Sequence, residues 1–323
     1  MIKNKKIFIT GGVGFIGSRL VKELCAENRI LVYDNFSRNA MQYTNLVENE
    51  NVSVIEGDIL DKELLEKTIC EFKPNVVLHL AAIAGITTVT LKPVYTMQVN
   101  MIGSYNLFEA LLNVKEEIHQ IVDFSTSEIF GSYAYKLGEE AGSRIASVGE
   151  ARWTYSTSKL AAEHLAHAYF TQYDLPITTV RPFNIYGPGQ VGEGAIHQFV
   201  VRALRNEEMQ IHGDGDQIRS WCYVDDFVDC IKLILDNPKS IGEAFNIGNP
   251  RGTVTIAMLA YMIKNISLSS SEIVYVPKNY EDVELRVPSI EKAKRILGYE
   301  PKIDLDRGLE NTIEWYKGVI ERG

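Results

Sequence analysis

Tyr155 and Lys159 stand four residues apart in Tyr155-Ser156-Thr157-Ser158-Lys159, inside a run with helical periodicity. That spacing puts both side chains on one helix face, one turn apart. A phenol is a poor base near neutral pH unless its ionised form is favoured, and a cation held beside it does this. Such a pair can take the proton from an alcohol. On an ordinary surface helix it would mean nothing, so it counts only if the chain also holds an oxidant.

The N-terminal stretch supplies a place for one. Lys6 to Thr10 reads as a buried strand, and Gly11-Gly12-Val13-Gly14-Phe15-Ile16-Gly17 follows it, leading into a helical pattern. A GxxGxxG run carries weight in this context, between a strand and a helix. Gly11 permits the tight turn, Gly14 lets the backbone approach a pyrophosphate, and Gly17 lets the helix pack closely on the strand. The helix N-terminus then offers N–H groups to phosphates. A second strand, Arg29 to Tyr33, ends at Asp34. A carboxylate there accepts hydrogen bonds from a ribose diol and repels a 2′-phosphate, so Asp34 favours NAD over NADP.

The elements that must position these groups alternate along the chain. Asn51 to Glu56 reads as a third strand ending in Gly57-Asp58-Ile59, and Asp61 as the N-cap of the helix after it. Asn75 to Ala82 follows Pro74 as a fourth strand, where the small Ala81 and Ala82 would let a flat cofactor lie against the strand end. A helix is expected from about Pro93 to Asn113, carrying Asn100, and a fifth strand from Glu117 to Ser125. This alternation predicts an α/β fold, a doubly wound parallel sheet of Rossmann type with ligands at the carboxyl ends of its strands. Residues 1–175 are expected to form the NAD-binding domain. Residues 176–323, with shorter elements, are expected to form a smaller C-terminal α/β substrate-binding domain, some segments of which return to the sheet.

Composition narrows the function. A formal charge of -9 speaks against a general nucleic-acid binder. Cys25, Cys70, Cys222 and Cys230 form no CxxC pair, and His164 and His167 have no third partner in sight, so neither disulfides nor a metal are expected. No apolar run is long enough for a membrane span. The basic start runs into a strand and a glycine turn, so no signal peptide is expected and the chain reads as cytoplasmic.

In order, TGGVGFIG, Asp34, GDI, HLAA, Asn100, STSE (Ser125 to Glu128), YSTSK and RPFNIYGPG resemble the motifs of extended short-chain dehydrogenases/reductases that modify nucleotide sugars. The resemblance covers essentially the whole chain. It implies bound NAD, a nucleotide-sugar substrate oxidised at C4, and chemistry through the resulting ketone. By motif, Tyr155 would take the 4-hydroxyl proton, Lys159 would lower its pKa and bind the nicotinamide ribose, and Thr126 would hydrogen-bond the 4-oxygen. Cofactor contacts are implied for Gly11, Gly14, Phe15, Ile16, Gly17, Asp34, Asn35, Asp58, Ile59, Leu80, Ala81, Ala82, Asn100 and Pro182, besides Tyr155 and Lys159. Asn184, Arg219 and Arg286 match substrate and diphosphate positions, where a planar guanidinium binds phosphate oxygens in pairs. A homodimer is implied too, through a four-helix bundle of the stretches Tyr95 to Asn113 and Tyr155 to Tyr173.

A 4-ketone acidifies C5–H and turns a C6 carboxylate into a β-keto acid, so three reactions stay open. Thr126-Ser127-Glu128 is similar to UDP-glucuronate decarboxylases, with Ser127, Glu128 and Arg286 then among the catalytic residues. The same triplet occurs in GDP-mannose 4,6-dehydratases, with the glutamate as base at C5. RWTYSTSK and the segment Asn279 to Leu305 resemble the decarboxylase of the aminoarabinose route, while Gly189 departs from the arginine common after GP in decarboxylases. The best reading is therefore a UDP-hexuronate decarboxylase. A 4,6-dehydratase comes next and a 4-epimerase third. Outside the enzyme class stands a retired NAD-binding scaffold.

Overall fold

The computed structural model describes residues 2–278 and 280–321. The chain begins with β1 (Lys6–Thr10), α1 (Phe15–Leu24), β2 (Arg29–Asp34), β3 (Val52–Glu56), α2 (Lys62–Phe72) and β4 (Val76–His79). Next come α3 (Ile86–Leu91), α4 (Pro93–Met97) and α5 (Gly103–Leu112), the last two joined by a π-helical turn over Gln98–Ile102. Then follow β5 (Gln120–Phe124), β6 (Tyr133–Leu137), α6 (Ala151–Tyr173), β7 (Ile177–Pro182), β8 (Ile185–Tyr186) and α7 (Ala195–Leu204). The remainder is β9 (Met209–His212), β10 (Ile218–Ser220), β11 (Cys222–Tyr223), α8 (Val224–Leu235), β12 (Ala244–Ile247) and β13 (Thr253–Thr255). It closes with α9 (Ile256–Ser267), β14 (Ile273–Val276), β15 (Leu285–Pro288), α10 (Glu291–Leu297) and α11 (Leu305–Ile320).

Seven strands form one parallel sheet in the order β12-β7-β5-β4-β1-β2-β3. Successive strand residues point to opposite faces, and both faces are covered. Ile7, Ile9, Val122 and Phe124 pack with α1 and α8 residues such as Leu20 and Phe227. Phe8, Val77, Ile121 and Ile177 pack with Leu65 of α2, Phe108 of α5 and Tyr169 of α6. The strand order reverses between β1 and β4, which opens the ligand crevice of a doubly wound sheet there. A separate apolar cluster of α7, α9 and α11 supports the far wall of that crevice.

Two local features depart from the sequence reading. The helix expected from Pro93 to Asn113 is broken by the π turn, which turns Asn100 inward to bond both backbone groups of Ile83. β6, inside a stretch read only as polar, pairs with β15 with Ala134 opposite Arg286. Only its Ala134 is buried while Tyr133 and Tyr135 stay exposed, so no buried apolar row marks the strand.

The turn after β1 is fixed by close backbone approach. Gly11 has φ +70, and a Cβ on it would lie 2.6 Å from the Ala81 nitrogen. At Gly17 a Cβ would lie 2.5 Å from the Gly11 carbonyl oxygen and 2.6 Å from Gly12 Cα. Neither obstacle is a side chain that can rotate away. Gly17→Ala is therefore expected to cost about 1–3 kcal/mol, read as a lowered thermal midpoint. Gly142→Ala, where a Cβ meets nothing within 4 Å, should leave the midpoint unchanged.

Candidate active site

The glycine turn delivers α1 with no side-chain cap and no acidic residue in its first turn. Its leading N–H groups and dipole thus face the crevice ready for an anion. Gly14 opens the same way, since a Cβ there would meet only the Gly11 oxygen, at 3.3 Å. Asp34 closes β2 with its Oδ2 accepting from the Val13 N–H at 3.0 Å and its Oδ1 from the Phe36 N–H at 2.9 Å. Burial raises its carboxyl pKa and these backbone donors oppose the rise. Each oxygen keeps a lone pair for a diol.

Two cavities meet at this turn. One of about 300 Å³ is lined by Gly11, Gly14, Asp34, Asn35, Ile59 and Leu80 to Ala84. The other, of about 500 Å³, runs past Gly14, Phe15, Ile16, Gly17 and Ala82 to Thr126, Tyr155, Lys159, Pro182 and Asn184. A dinucleotide fits this layout: a diol acceptor at one end, a phosphate-ready helix start in the middle, and the phenol and ammonium at the other end. Two expected cofactor residues act from behind the wall. Asn100 is 1% exposed and ties Ile83 to Ser158 of α6 at 2.9 Å. Asp58 holds Asn35 at 3.3 Å and Tyr95 at 3.2 Å.

Around the phenol, β5 ends at Phe124, Ser125 and Thr126 follow it, and a 3₁₀ turn carries Ser127–Phe130. Thr126 caps that turn, its Oγ1 accepting the Glu128 N–H at 3.2 Å. Its own hydroxyl proton is left to donate, and it serves the Tyr155 oxygen. Tyr155 is pushed up to about 12, by burial first and then by the Glu128 charge, against the lowering effect of Thr126, Arg152 and Arg286. The sequence argument gave the lowering task to Lys159. In the structure Lys159 lines the cavity beside Tyr155 and is itself lowered by burial, against which Asp123 and Glu163 act.

Next to the phenol lies a charge network. Arg152 of α6 reaches Glu128 at 2.5 Å with one amino group and Asp282 at 2.8 Å with the other. Arg219 also reaches Asp282, at 3.3 Å. The parallel pairing of β10 with β15 sets Arg219 directly beside Arg286. Arg286 is buried, donates to Ser127 Oγ at 3.3 Å and to the Gly131 carbonyl, and leaves its Nε unpartnered. Burial lowers it to about 10, so it stays charged at neutral pH. Asn184, at φ 44, donates to the Ser220 carbonyl at 2.9 Å. Arg152, Asn184, Gln190, Arg219, Tyr280, Asp282 and Arg286 line a third cavity of about 950 Å³.

Sequence reasoning placed Thr126, Ser127, Glu128, Tyr155, Asn184, Arg219 and Arg286, and the fold gathers them here. It passed over Arg152 and Asp282. Both lie in quoted stretches, yet only the tertiary contacts reveal that one arginine spans two carboxylates. Among the described residues no three His, Cys, Asp or Glu side chains are grouped to hold a metal ion. No helix of these residues is long and apolar enough to cross a membrane.

Comparison with known proteins agrees with this geometry. The chain is 33% identical to UDP-N-acetyl-alpha-D-glucosaminuronate decarboxylase of Bacillus cytotoxicus, over 98% of both chains. It is 30% identical to UDP-glucuronic acid decarboxylase 1 of Xenopus tropicalis, covering 98% of this chain and 73% of that one. Among solved structures, UDP-glucuronic acid 4-epimerase of Bacillus cereus, in complex with UDP-glucuronic acid and NAD, superposes with a TM-score of 0.87. That match has 29% identity and covers 97% of this chain and 99% of the other. Residues 7–248 match the NAD dependent epimerase/dehydratase family, and the chain, an NAD-dependent enzyme of the extended short-chain dehydrogenase/reductase type, belongs to it.

Proposed function

We propose that the protein is a UDP-hexuronate decarboxylase working through a 4-keto sugar, with UDP-glucuronate as the first substrate to try. The observation that carries this reading is the charge at the sugar end of the site. Of the charged groups that line the cavity, Arg152, Arg202, Arg219 and Arg286 outnumber Glu128, Glu193 and Asp282 by one, which leaves one positive charge for an anion near Tyr155 and Thr126. A C6 carboxylate meets that requirement, and each of the three relatives named above acts on, or is bound to, a sugar that carries one.

Asp34, the glycine turn and Lys159 would hold NAD, which when bound would supply the oxidant for the C4 alcohol. Tyr155 takes the 4-hydroxyl proton, and Thr126 donates a hydrogen bond to the same oxygen. With a ketone at C4, the C5–C6 bond breaks, its electron pair moves into a C4–C5 enolate, and C6 leaves as carbon dioxide. The enolate then takes a proton at C5, and return of the abstracted hydride to C4 would give the UDP-pentose. Thr126 and the phenol of Tyr155 stabilise the enolate oxygen. Ser127 holds Arg286, whose guanidinium neutralises the anionic substrate. Loss of carbon dioxide needs no base at C5, whereas dehydration does. Glu128, the group available for that task, is committed to Arg152 at 2.5 Å, which favours decarboxylation. The second reading is 4-epimerisation of the same sugar, supported by the likeness to the Bacillus cereus structure.

The assembly we propose is a homodimer through a four-helix bundle. Leu91, Val94, Ile102 and Tyr105 are exposed large apolar side chains along α3 to α5, beside α6, and a second copy would cover them. Val94→Glu is expected to convert the dimer to monomer in sedimentation velocity. A monomeric wild type would exclude it.

Incubation with UDP-glucuronate should release carbon dioxide and yield a UDP-pentose by mass spectrometry. A product of unchanged mass would mean epimerisation, and turnover only of neutral hexoses with loss of water would mean dehydration. Tyr155→Phe should lower kcat by on the order of 10²–10⁴ while NAD still binds. An unaffected rate would overturn the role given to Tyr155, whereas a wild type that binds NAD but turns over no nucleotide sugar would leave the scaffold reading.

The pH profile tests the network. Glu128 raises the Tyr155 pKa and Arg152 lowers it, so their removal should move the acid limb of kcat in opposite directions. Glu128→Gln is expected to shift it down by about half a unit to one unit, and Arg152→Met to shift it up by as much.

A further inference from the structure

The face of the sheet under α6 changes character along its strands. Its lower row is apolar, with Phe8, Val77, Ile121 and Ile177. Two residues further along each strand, on the same face, stand Thr10, His79, Asp123 and Thr179, aligned by the parallel register. Three of these four have evident partners or tolerate burial. His79 has Thr10 Oγ1 at 2.7 Å on Nδ1 and Ser104 Oγ at 3.0 Å on Nε2, and burial holds it down to about 3, so it is neutral. Thr179 carries no charge. Asp123 is 0% exposed and neither carboxyl oxygen has a hydrogen-bond partner.

The charged groups packed over it come from α6 and β7. Glu163 is occupied on both oxygens: Arg181 of β7 donates to Oε1 through Nη2 at 2.5 Å and through Nε at 3.0 Å, and Ser125 donates to Oε2 at 2.5 Å. Lys159, one turn before Glu163, is 2% exposed and makes no hydrogen bond or ion pair with any described residue. Its leading electrostatic partner is Asp123. Tyr155 lies one turn earlier on the same face. The mechanism above uses Lys159 and leaves Asp123 without a task.

We propose that Asp123 is a positioning residue for Lys159, the buried counter-ion that keeps this amine protonated and held over β5. A buried ammonium without a counter-charge loses its proton, and a buried carboxylate without donors gains one. Arg181 balances Glu163, so Asp123 and Lys159 are left to balance each other. Burial raises Asp123 to about 6, with Lys159 acting against the rise and Glu163 with it. The pair is therefore charged above that pH and remains so until Lys159 deprotonates. The inference rests on the reading of Lys159 as part of the site but not on which sugar is turned over.

The first test is infrared difference spectroscopy on the cofactor-free protein at pH 8, where the wild type should show no band from a protonated buried carboxyl. Lys159→Met should gain that band, and Lys159→Met/Asp123→Asn should lack it. Absence of the band in Lys159→Met overturns the proposal. The second test is the pH profile of turnover. Asp123→Asn should move the alkaline limb of kcat to lower pH by a unit or more, with KM little changed, and Asp123→Glu should restore part of the shift. A loss of rate that is uniform across pH would make Asp123 merely structural and overturn the proposal. Should wild-type protein fail to consume UDP-glucuronate, the substrate reading falls, while the infrared experiment still decides the role of Asp123.

Discussion

The site depends on a helix that buries a charged stripe against a sheet. Tyr155, Lys159 and Glu163 follow one another at intervals of four along α6, one face of the helix. That face lies over the carboxyl ends of the central strands, where the sheet offers Asp123 and Arg181 in place of apolar side chains. A stripe of this kind would open to water on an ordinary helix. Here Glu163 pairs with Arg181, Asp123 is the proposed counter-charge of Lys159, and Asn100 ties Ser158 of the same helix to the loop after β4. Because unpaired charges are costly at such depth, the helix has little freedom to slide or rotate. The position of the phenol relative to the crevice is a consequence of that pairing.

How much of this the sequence revealed follows the range of each interaction. The glycine turn, Asp34 at the strand end and the Tyr155–Lys159 spacing are local, and all three read directly from the chain. The π turn was hidden because Pro93 to Asn113 is apolar enough to pass for one helix, and its break is imposed by the bonds of Asn100 to Ile83. The arginines were nameable only by resemblance. What sets them side by side is the register of β10 on β15, a pairing between segments more than sixty residues apart. Arg152 was invisible as a site residue for the same reason, since Glu128 and Asp282 lie on either side of it in sequence at long range. Asp123 gave no local sign either: in a strand that also holds Gln120, nothing marks this one polar side chain as buried without a partner.

The electrostatics of the sugar end also explain why a surplus of positive charge belongs there. Burial raises the phenol above its ordinary value, and the Glu128 charge adds to that rise. An anionic sugar placed in a site without compensation would do the same and leave the base protonated. Arg286 and Arg152 lower the phenol, and both lie where that anion would be received. On the proposed reading, charge matching would serve two ends at once: it would select a carboxylated substrate, and it would keep that substrate from disabling the base that must act on it. Arg286 suits the task because it is fixed by Ser127 and Gly131 from below, so its charge is in place before substrate arrives. A lysine at this position would hold a mobile point charge and could shed its proton on burial, whereas the guanidinium, even lowered to about 10, keeps its own.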